Sequence, residues 1–390
     1  MAAPGADPAH DPSHAAPGAD PARDPSAGAP GVGGAIAALI PPLLGALDQV
    51  EWVQRHLYPP VAGRLAETLA PRGRGIAEPL TALAETACPP DIAFARDRLV
   101  AVARETVELI DAFVRAADHP EDPIGLYRAL RRAARAQEAL YPLFPMLDLV
   151  SRFFLEPARR GDDALVGALR AGALRDGDDP TGVRHAENER DTRGGFSLYV
   201  PETWDGHTAM PLVIALHGGS GHGRDYLWSW LRDARTRGAL LLSPTARDRT
   251  WSIMGGSDVD ADPIRRMIEV VAERYAVDRS RVLLTGMSDG GTYALLCGLE
   301  EDAPFTHLAP ASGALHPFLL ANGGLGRARG KPIYLIHGAL DWMFPVQTAR
   351  MAREVLAAAG AHVVYREIED LSHTYARDEN PRILDWLVAT

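Results

Sequence analysis

Residues 281–297 read Arg-Val-Leu-Leu-Thr-Gly-Met-Ser-Asp-Gly-Gly-Thr-Tyr-Ala-Leu-Leu-Cys and contain the pattern Gly-x-Ser-x-Gly between Gly286 and Gly290. The β-prone apolar run before this pattern predicts a strand, and the apolar stretch after it predicts a helix. Glycines beside the serine allow the strand and the helix to pack closely around a strained backbone. The stretch therefore predicts a nucleophile elbow that holds out the hydroxyl of Ser288 and aims the N–H of Asp289 at an oxyanion.

A serine hydroxyl becomes a nucleophile when a histidine takes its proton, and a carboxylate orients that histidine. Asp341 follows the predicted strand 333–336, and His373 follows the predicted strand 363–368. The carboxyl ends of parallel strands meet at one edge of a sheet, which is where sites of α/β proteins gather. The chain order Ser288, Asp341, His373 therefore predicts a catalytic triad at that edge.

Three neighbouring residues compete for these roles. Asp370, three residues before His373, is the alternative carboxylate, but its position after the strand suits the role less well than that of Asp341. His362 precedes its strand, so we expect it at the opposite edge of the sheet. His337 ends the strand that leads to Asp341, and we expect it to support that loop. An ordinary surface-loop histidine is the simplest alternative interpretation of His373.

A second glycine-rich turn, His217-Gly-Gly-Ser-Gly221, follows the fully apolar predicted strand 212–216. Glycines let a backbone approach a reacting carbonyl, so Gly218 and Gly219 predict the second half of an oxyanion hole. A phosphate-binding turn is disfavoured because no Gly-Lys-Ser/Thr sequence follows. His217 and His222 lack a third ligand at a suggestive spacing, so we predict no metal site.

Composition narrows the classes of function. The chain has 390 residues, which suggests two units, and its 46% hydrophobic and 23% charged residues are typical of a globular protein. A formal net charge of −11 argues against nucleic acid as a partner. Two cysteines make no disulfide framework, and no leader-like segment or long unbroken apolar run is found. We expect a cytoplasmic protein without stable membrane insertion.

Three regions differ in sequence pattern. Residues 1–35 are rich in Ala, Pro, Gly and Asp with a 13-residue repeat, which predicts a disordered tail. Residues 36–175 predict an all-α domain, with helices over 92–117, 123–140 and 145–159 and an apolar stretch at 34–53 that Pro41 and Pro42 interrupt. Residues 172–187 read as a linker. Residues 186–390 alternate strands and helices, which predicts a mostly parallel sheet flanked by helices.

Residues 194–390 resemble a compact α/β-hydrolase, similar to the phospholipase/carboxylesterase group and to esterases related to polyhydroxybutyrate depolymerase and feruloyl esterase. The matching stretches are 211–219, 277–291, 336–341 and 371–373. The resemblance implies the α/β-hydrolase fold, Ser288 as nucleophile, Asp341 and His373 as its relay partners, and the N–H groups of Gly219 and Asp289 as oxyanion donors. Relatives often have a neutral or amide residue at the position of Asp289. We expect its carboxylate to face outward; the alternative is that it lies near the site and disfavours anionic substrates.

The pattern as a whole favours a serine esterase that acts on small-molecule esters through an acyl-enzyme, without a cofactor. Trp251 and Trp342 fall near the predicted active edge, and we assign them to the substrate pocket, with ordinary core packing as the alternative for each. Thioester or peptide cleavage by the same triad is the alternative within the enzymes. A catalytically silent scaffold that binds a protein partner is the alternative outside them. We expect the N-terminal helices to cover part of the opening or to form a homodimer contact.

Overall fold

The computed structural model describes residues 31–175, 180–321 and 323–390. Most of the tail predicted for 1–35 and part of the linker predicted for 172–187 lie outside these ranges. The last residues of the predicted tail are described, and they are helical from Val32 onward. The N-terminal segment contains helices α1 (Val32–His56), α2 (Ala62–Glu85), α3 (Pro90–Ala117), α4 (Pro123–Leu130), α5 (Ala133–Leu140), α6 (Asp148–Phe153) and α7 (Asp163–Ala173).

Helix α1 continues through Pro41 and Pro42, so the interruption predicted there is wrong. Two prolines remove backbone donors from the helix interior, an effect that costs about 3 kcal/mol each in an exposed helix. Burial of Leu39, Ile40 and Leu43 in the core offsets this cost. Among the described residues, α1 is also the one helix long and apolar enough to cross a membrane, with a mean hydropathy of 1.3 and 33% of its most apolar window buried inside the protein.

One predicted helix is divided in the structure, and another is shorter than predicted. The helix predicted over 123–140 turns at Arg131 and Arg132, which separate α4 from α5. The helix predicted over 145–159 shrinks to α6, which ends at Phe153. It cannot extend to Arg159 because Pro157 disfavours a helical conformation at Glu156, which has φ −50° and ψ 137°. Periodicity placed apolar residues correctly here but did not locate these breaks.

Within the described ranges, eight strands form one sheet in the order β1-β2-β4-β3-β5-β6-β7-β8. The first two strands pair antiparallel, and β3 to β8 run parallel. This topology confirms the predicted α/β-hydrolase fold. The strands are β1 (Gly182–Ala186), β2 (Phe196–Val200), β3 (Met210–Leu216), β4 (Leu240–Pro244), β5 (Val277–Met287), β6 (His307–Ala311), β7 (Pro332–Gly338) and β8 (His362–Ile368).

Two strands were missed by the sequence interpretation. Gly182–Ala186 lies in the predicted linker but pairs with Phe196–Val200 as an edge strand. Its short polar sequence gives no strand signal, and the pairing with β2 decides its structure. His307–Ala311 is a central strand despite Pro310, which lies opposite Gly286 of β5. Proline is rarely found in a central strand because it cannot donate to the ladder, so the sequence argued against this element.

Helices cover both faces of the sheet. They are α8 (Gly223–Tyr226), α9 (Leu231–Arg237), α10 (Ala261–Arg274), α11 (Asp289–Gly298), α12 (Pro317–Ala321), α13 (Val346–Ala358) and α14 (Asn380–Ala389). Side chains alternate along each strand, so Leu212 and Ile214 pack in the core under α10 to α13, while Val213 packs in a second core.

This second core contains α8, α9 and α14 and also the apolar faces of the N-terminal helices, including Leu39 and Phe113. Apart from a small cluster of Leu155, Val166 and Leu169, the described part of the helical segment therefore shares this core. It forms an additional layer on one face of the sheet.

Candidate active site

The strand-to-helix turn at Ser288 has the geometry of a nucleophile elbow. Ser288 lies between β5 and α11 with φ 57° and ψ −120°, a conformation that residues with side chains rarely adopt. A β-carbon on Gly286 would come within 2.5 Å of the Gly290 carbonyl, so only glycine allows strand and helix to cross this closely. The surrounding fold maintains this strained conformation, which directs the serine hydroxyl to the carboxyl edge of the sheet.

The structure brings Ser288, His373 and Asp341 together at this edge. His373 Nε2 lies 3.0 Å from Ser288 Oγ, and His373 Nδ1 lies 3.0 and 2.9 Å from the two carboxylate oxygens of Asp341. A carboxylate only accepts, so Nδ1 carries the proton and Nε2 is left as the acceptor for the serine hydroxyl. All three side chains are largely buried, and His373 is 5% exposed.

The loop after β7 holds Asp341 in place. Its Oδ1 accepts hydrogen bonds from the N–H groups of Met343 at 3.0 Å and Phe344 at 2.8 Å. Burial alone would raise the pKa of Asp341. The hydrogen bond from His373, the positive charge of His373 and the hydrogen bond from the Phe344 N–H together outweigh burial, so the pKa is lowered. His337 lies behind this loop and donates from Nε2 to the Phe344 carbonyl at 2.9 Å, which is the supporting role predicted for it.

The competing residues lie elsewhere. Asp370 accepts a hydrogen bond from Arg55 at 3.0 Å, and its side chain is 60% exposed. Its carboxylate faces the helical segment, and the carboxylate on His373 Nδ1 is that of Asp341. His362 begins β8, opposite Pro332 at the start of β7, and therefore lies at the far edge of the sheet as predicted.

The turn after β3 presents an unpaired N–H beside the serine. The Gly218 carbonyl accepts hydrogen bonds from His217 Nδ1 at 2.7 Å and from the Gly221 N–H at 2.9 Å. In a trans peptide the next N–H points the opposite way, so these bonds direct the Gly219 N–H away from them. Among the described residues, neither this N–H nor that of Asp289, at the first position of α11, has an acceptor.

Gly218 lies directly against the nucleophile, because a β-carbon built on it would be 3.5 Å from Ser288 Cβ. The His217 side chain holds the turn 217–221 in place. Its Nε2 accepts from the Ala246 N–H at 3.1 Å, which leaves the proton on Nδ1 for Gly218. Burial lowers the pKa of His217 to about 3, so this imidazole stays neutral.

The Asp289 side chain does not face outward, and that expectation is wrong. Its carboxylate lies against Gly219, and Oδ2 accepts a hydrogen bond from the Thr250 hydroxyl at 2.6 Å. The packing of the elbow against the oxyanion turn, which the sequence does not reveal, directs this side chain inward.

The assignment of Trp251 to the substrate pocket is also wrong. Trp251 is 2% exposed, stacks on Tyr293 and donates from Nε1 to the His217 carbonyl at 2.7 Å. It supports the oxyanion turn from the core. Trp342 is 39% exposed at the rim, where its Nε1 donates to the Tyr127 hydroxyl at 3.1 Å. Its exposure leaves it available to a substrate.

Residues 259–389, the C-terminal third of the chain, match the model of the family described as phospholipase/carboxylesterase. The chain has the α/β-hydrolase fold, and its C-terminal third is similar to this family. The matched segment contains Ser288, Asp341 and His373, whereas the oxyanion turn and the helical segment precede it. The family match supports a carboxylic ester hydrolase. None of the curated proteins compared with the chain matches it.

Solved structures are similar to about half of this chain. A thermostable esterase is 20% identical, with a TM-score of 0.44, and the match covers 53% of this chain and 62% of that one. FphF, a fluorophosphonate-binding serine hydrolase of Staphylococcus aureus, is 16% identical, with a TM-score of 0.45 and coverage of 54% and 99%. Dipeptidyl peptidase 4 of Porphyromonas gingivalis is 15% identical, with a TM-score of 0.43 and coverage of 54% and 36%.

Proposed function

We propose that this chain hydrolyses carboxylic esters through an acyl-enzyme formed on Ser288. The observation that carries this proposal is the position of His373, whose Nε2 lies 3.0 Å from Ser288 Oγ while its Nδ1 bonds Asp341. Ser288 Oγ attacks the ester carbonyl carbon as its proton passes to His373 Nε2. The same proton then goes to the departing alcohol. Water repeats the steps in reverse and releases the acid.

The negative charge that develops on the carbonyl oxygen needs preorganised donors. The unpaired N–H groups of Gly219 and Asp289 fit this role, since they flank Ser288 and cost no reorganisation when charge appears. Loss of one such donor typically lowers kcat by about 100- to 1000-fold. Asp341 keeps the His373 ring in the tautomer that accepts the serine proton, and its lowered pKa keeps it ionised for that purpose.

The test is hydrolysis of p-nitrophenyl esters of increasing acyl length by the wild type and by Ser288→Ala. We expect the variant to lose at least about 1000-fold in kcat, because the nucleophile is absent. A fluorophosphonate probe is expected to label the wild type at Ser288, as mapped by mass spectrometry. Equal rates for both proteins would overturn the enzyme assignment and favour the silent scaffold. Labelling of a different serine would overturn the assignment of the nucleophile.

Thioester and peptide substrates belong in the same assay, because the same kind of triad cleaves esters, thioesters and peptides. We expect the ester with the same acyl group to be cleaved fastest. A thioester or a peptide anilide that is hydrolysed with a higher kcat/KM would reassign the substrate class while leaving Ser288 as nucleophile.

A further inference from the structure

One arginine of the helical segment reaches the oxyanion turn. Arg131 follows the C-terminal end of α4, and its Nη1 and Nη2 donate to the carbonyls of Ser220 at 3.0 Å and Gly219 at 3.2 Å. In the described part of the chain, Arg131 has no carboxylate partner, so these two carbonyls are its bonded acceptors. The guanidinium fork matches two neighbouring acceptors, which a lysine ammonium does not.

These two bonds complete a set. Each carbonyl of the turn 217–221 accepts a hydrogen bond, and the donors are Trp251 to His217, His217 and the Gly221 N–H to Gly218, Arg131 to Gly219 and Ser220, and Arg193 to Gly221. Ser220 has φ 55°, a strained conformation that persists only when its surroundings hold it. Arg131 holds the carbonyls of Gly219 and Ser220, which directly follow the Gly219 N–H.

The same helix also contacts the loop that carries the acid. Tyr127 lies one turn before Arg131, and its hydroxyl accepts from Trp342 Nε1 at 3.1 Å, next to Asp341. Burial raises the pKa of the Tyr127 hydroxyl, and the charge of the Asp341 carboxylate adds to this. Helix α4 therefore connects the oxyanion turn with the loop after β7 across the edge that holds Ser288.

We propose that Arg131 and Tyr127 are positioning residues of the active site. Arg131 holds the oxyanion turn, Tyr127 holds the acid loop, and α4 sets the distance between them. The catalytic consequence rests on the proposed function. The helical segment then contributes to catalysis, because the hydrogen bonds from Arg131 keep the Gly219 N–H directed at the developing charge.

The expected signature is a loss of kcat with little change in KM. A bond to the oxyanion forms in the transition state and is weak with the bound ester, so a displaced turn costs catalysis and not ground-state binding. For Arg131→Ala we expect kcat on p-nitrophenyl acetate to fall about 10- to 100-fold, with KM within about twofold, since misplacing a group by about 1 Å has this order of effect.

The matched control is Arg128→Ala on the same helix, because Arg128 is exposed and has no hydrogen bond or ion pair within the described ranges. We expect its kcat to stay within about twofold of the wild type. Guanidinium ion at millimolar concentration is expected to restore part of the kcat of Arg131→Ala and to leave Arg128→Ala unchanged. Wild-type kcat in Arg131→Ala, or a fall that is confined to KM, would overturn the proposal.

Amide hydrogen exchange separates this proposal from the proposed function. In Arg131→Ala, the peptide that spans 217–221 is expected to exchange faster than in the wild type and in Arg128→Ala. Unchanged exchange would overturn the positioning role, whatever the enzyme hydrolyses. Faster exchange in a protein that cleaves no ester would refute the proposed function and leave the restraint in place. If Arg131→Ala fails to fold, Arg131→Lys keeps the charge without the fork, and a loss of about threefold or more in kcat supports the proposal.

Discussion

The Asp289 carboxylate occupies the space in which a side chain at Gly219 would lie. A β-carbon on Gly219 would come 2.6 Å from Asp289 Oδ2, and the Thr250 hydroxyl holds the same oxygen at 2.6 Å. Asp289 begins helix α11, whose first residues form the elbow, so the turn fixes its backbone. A methyl group at Gly219 therefore requires the Asp289 carboxylate to leave its position and its bond to Thr250, or the oxyanion turn to move.

Gly219→Ala is expected to lower kcat/KM about 100-fold, because the added methyl pushes the Gly219 N–H out of reach of the oxyanion. Steady-state hydrolysis of p-nitrophenyl acetate measures the loss. Gly326→Ala is the control, since a β-carbon there meets nothing within 4 Å. Unchanged activity in Gly219→Ala would mean that the turn shifts without consequence, which the packing against Asp289 argues against.

Asp341→Asn is expected to reduce kcat by about 1000- to 10,000-fold, because an amide no longer fixes the His373 tautomer or stabilises the imidazolium. Asp370→Asn removes the competing carboxylate, which pairs with Arg55 on the surface, and we expect its kcat to stay within about twofold of the wild type. Both variants are measured on the same ester at pH 7 to 8. The reverse ranking of the two would transfer the orienting role to Asp370.

Asp233 predicts a pH-dependent stability. Burial raises the pKa of Asp233 to about 7, above its ordinary value of about 3.8, and the Glu156 charge adds to this, although Asn380 donates to the carboxylate at 2.9 Å. An acid whose pKa is raised on folding destabilises the protein as pH rises from about 4 to about 7, and the penalty is constant above that. This shift corresponds to at most about 4 kcal/mol.

Asp233→Asn removes this titration and keeps an oxygen for Asn380. We expect its free energy of unfolding in urea to exceed that of the wild type at pH 7.5 and to match it closely at pH 4. Asp302→Asn, an exposed carboxylate, is the control and should follow the wild type at both pH values. A constant difference between Asp233→Asn and wild type at both pH values would contradict the raised pKa.

A buried ion pair beneath the helical segment is bonded to it through Tyr141. Arg235 and Glu202 are 0% and 1% exposed and lie 3.3 Å apart, and the hydroxyls of Tyr141 and Tyr199 both donate to Glu202. Glu202→Ala leaves the Arg235 charge buried without its partner, so we expect unfolding to cost about 3–5 kcal/mol less than in the wild type. Urea denaturation measures the difference.

The exposed Glu301→Ala is the control and should change stability by less than about 0.5 kcal/mol. The helical segment and the sheet share one core, so we expect fluorescence and circular dichroism to report a single transition. Two separate transitions, with Glu202→Ala affecting one of them, would show that the helices and the sheet unfold independently.

The sequence predicted the features that local chemistry determines. Ser288, Asp341 and His373 follow strands with clear apolar patterns, and parallel strands bring such loops to one edge. It did not predict features set by tertiary packing, such as the strand containing Pro310, the inward turn of Asp289 or the burial of Trp251. Arg131 lies in an arginine-rich helical stretch that reads as a solvated face, so no local signal marked it. The cytoplasmic location and the homodimer contact stay predictions.

The residue at position 228 indicates whether a related sequence contains the helical layer. Trp228 is 2% exposed because Tyr141 and Phe154 of the N-terminal segment pack on its ring, and it belongs to the core that continues into the sheet. A hydrolase of this fold without the layer would present that position to water, where a large apolar ring promotes aggregation. The residue at this position should therefore covary with the presence of the helices across genomes, and recombination that separates the two should produce insoluble chains.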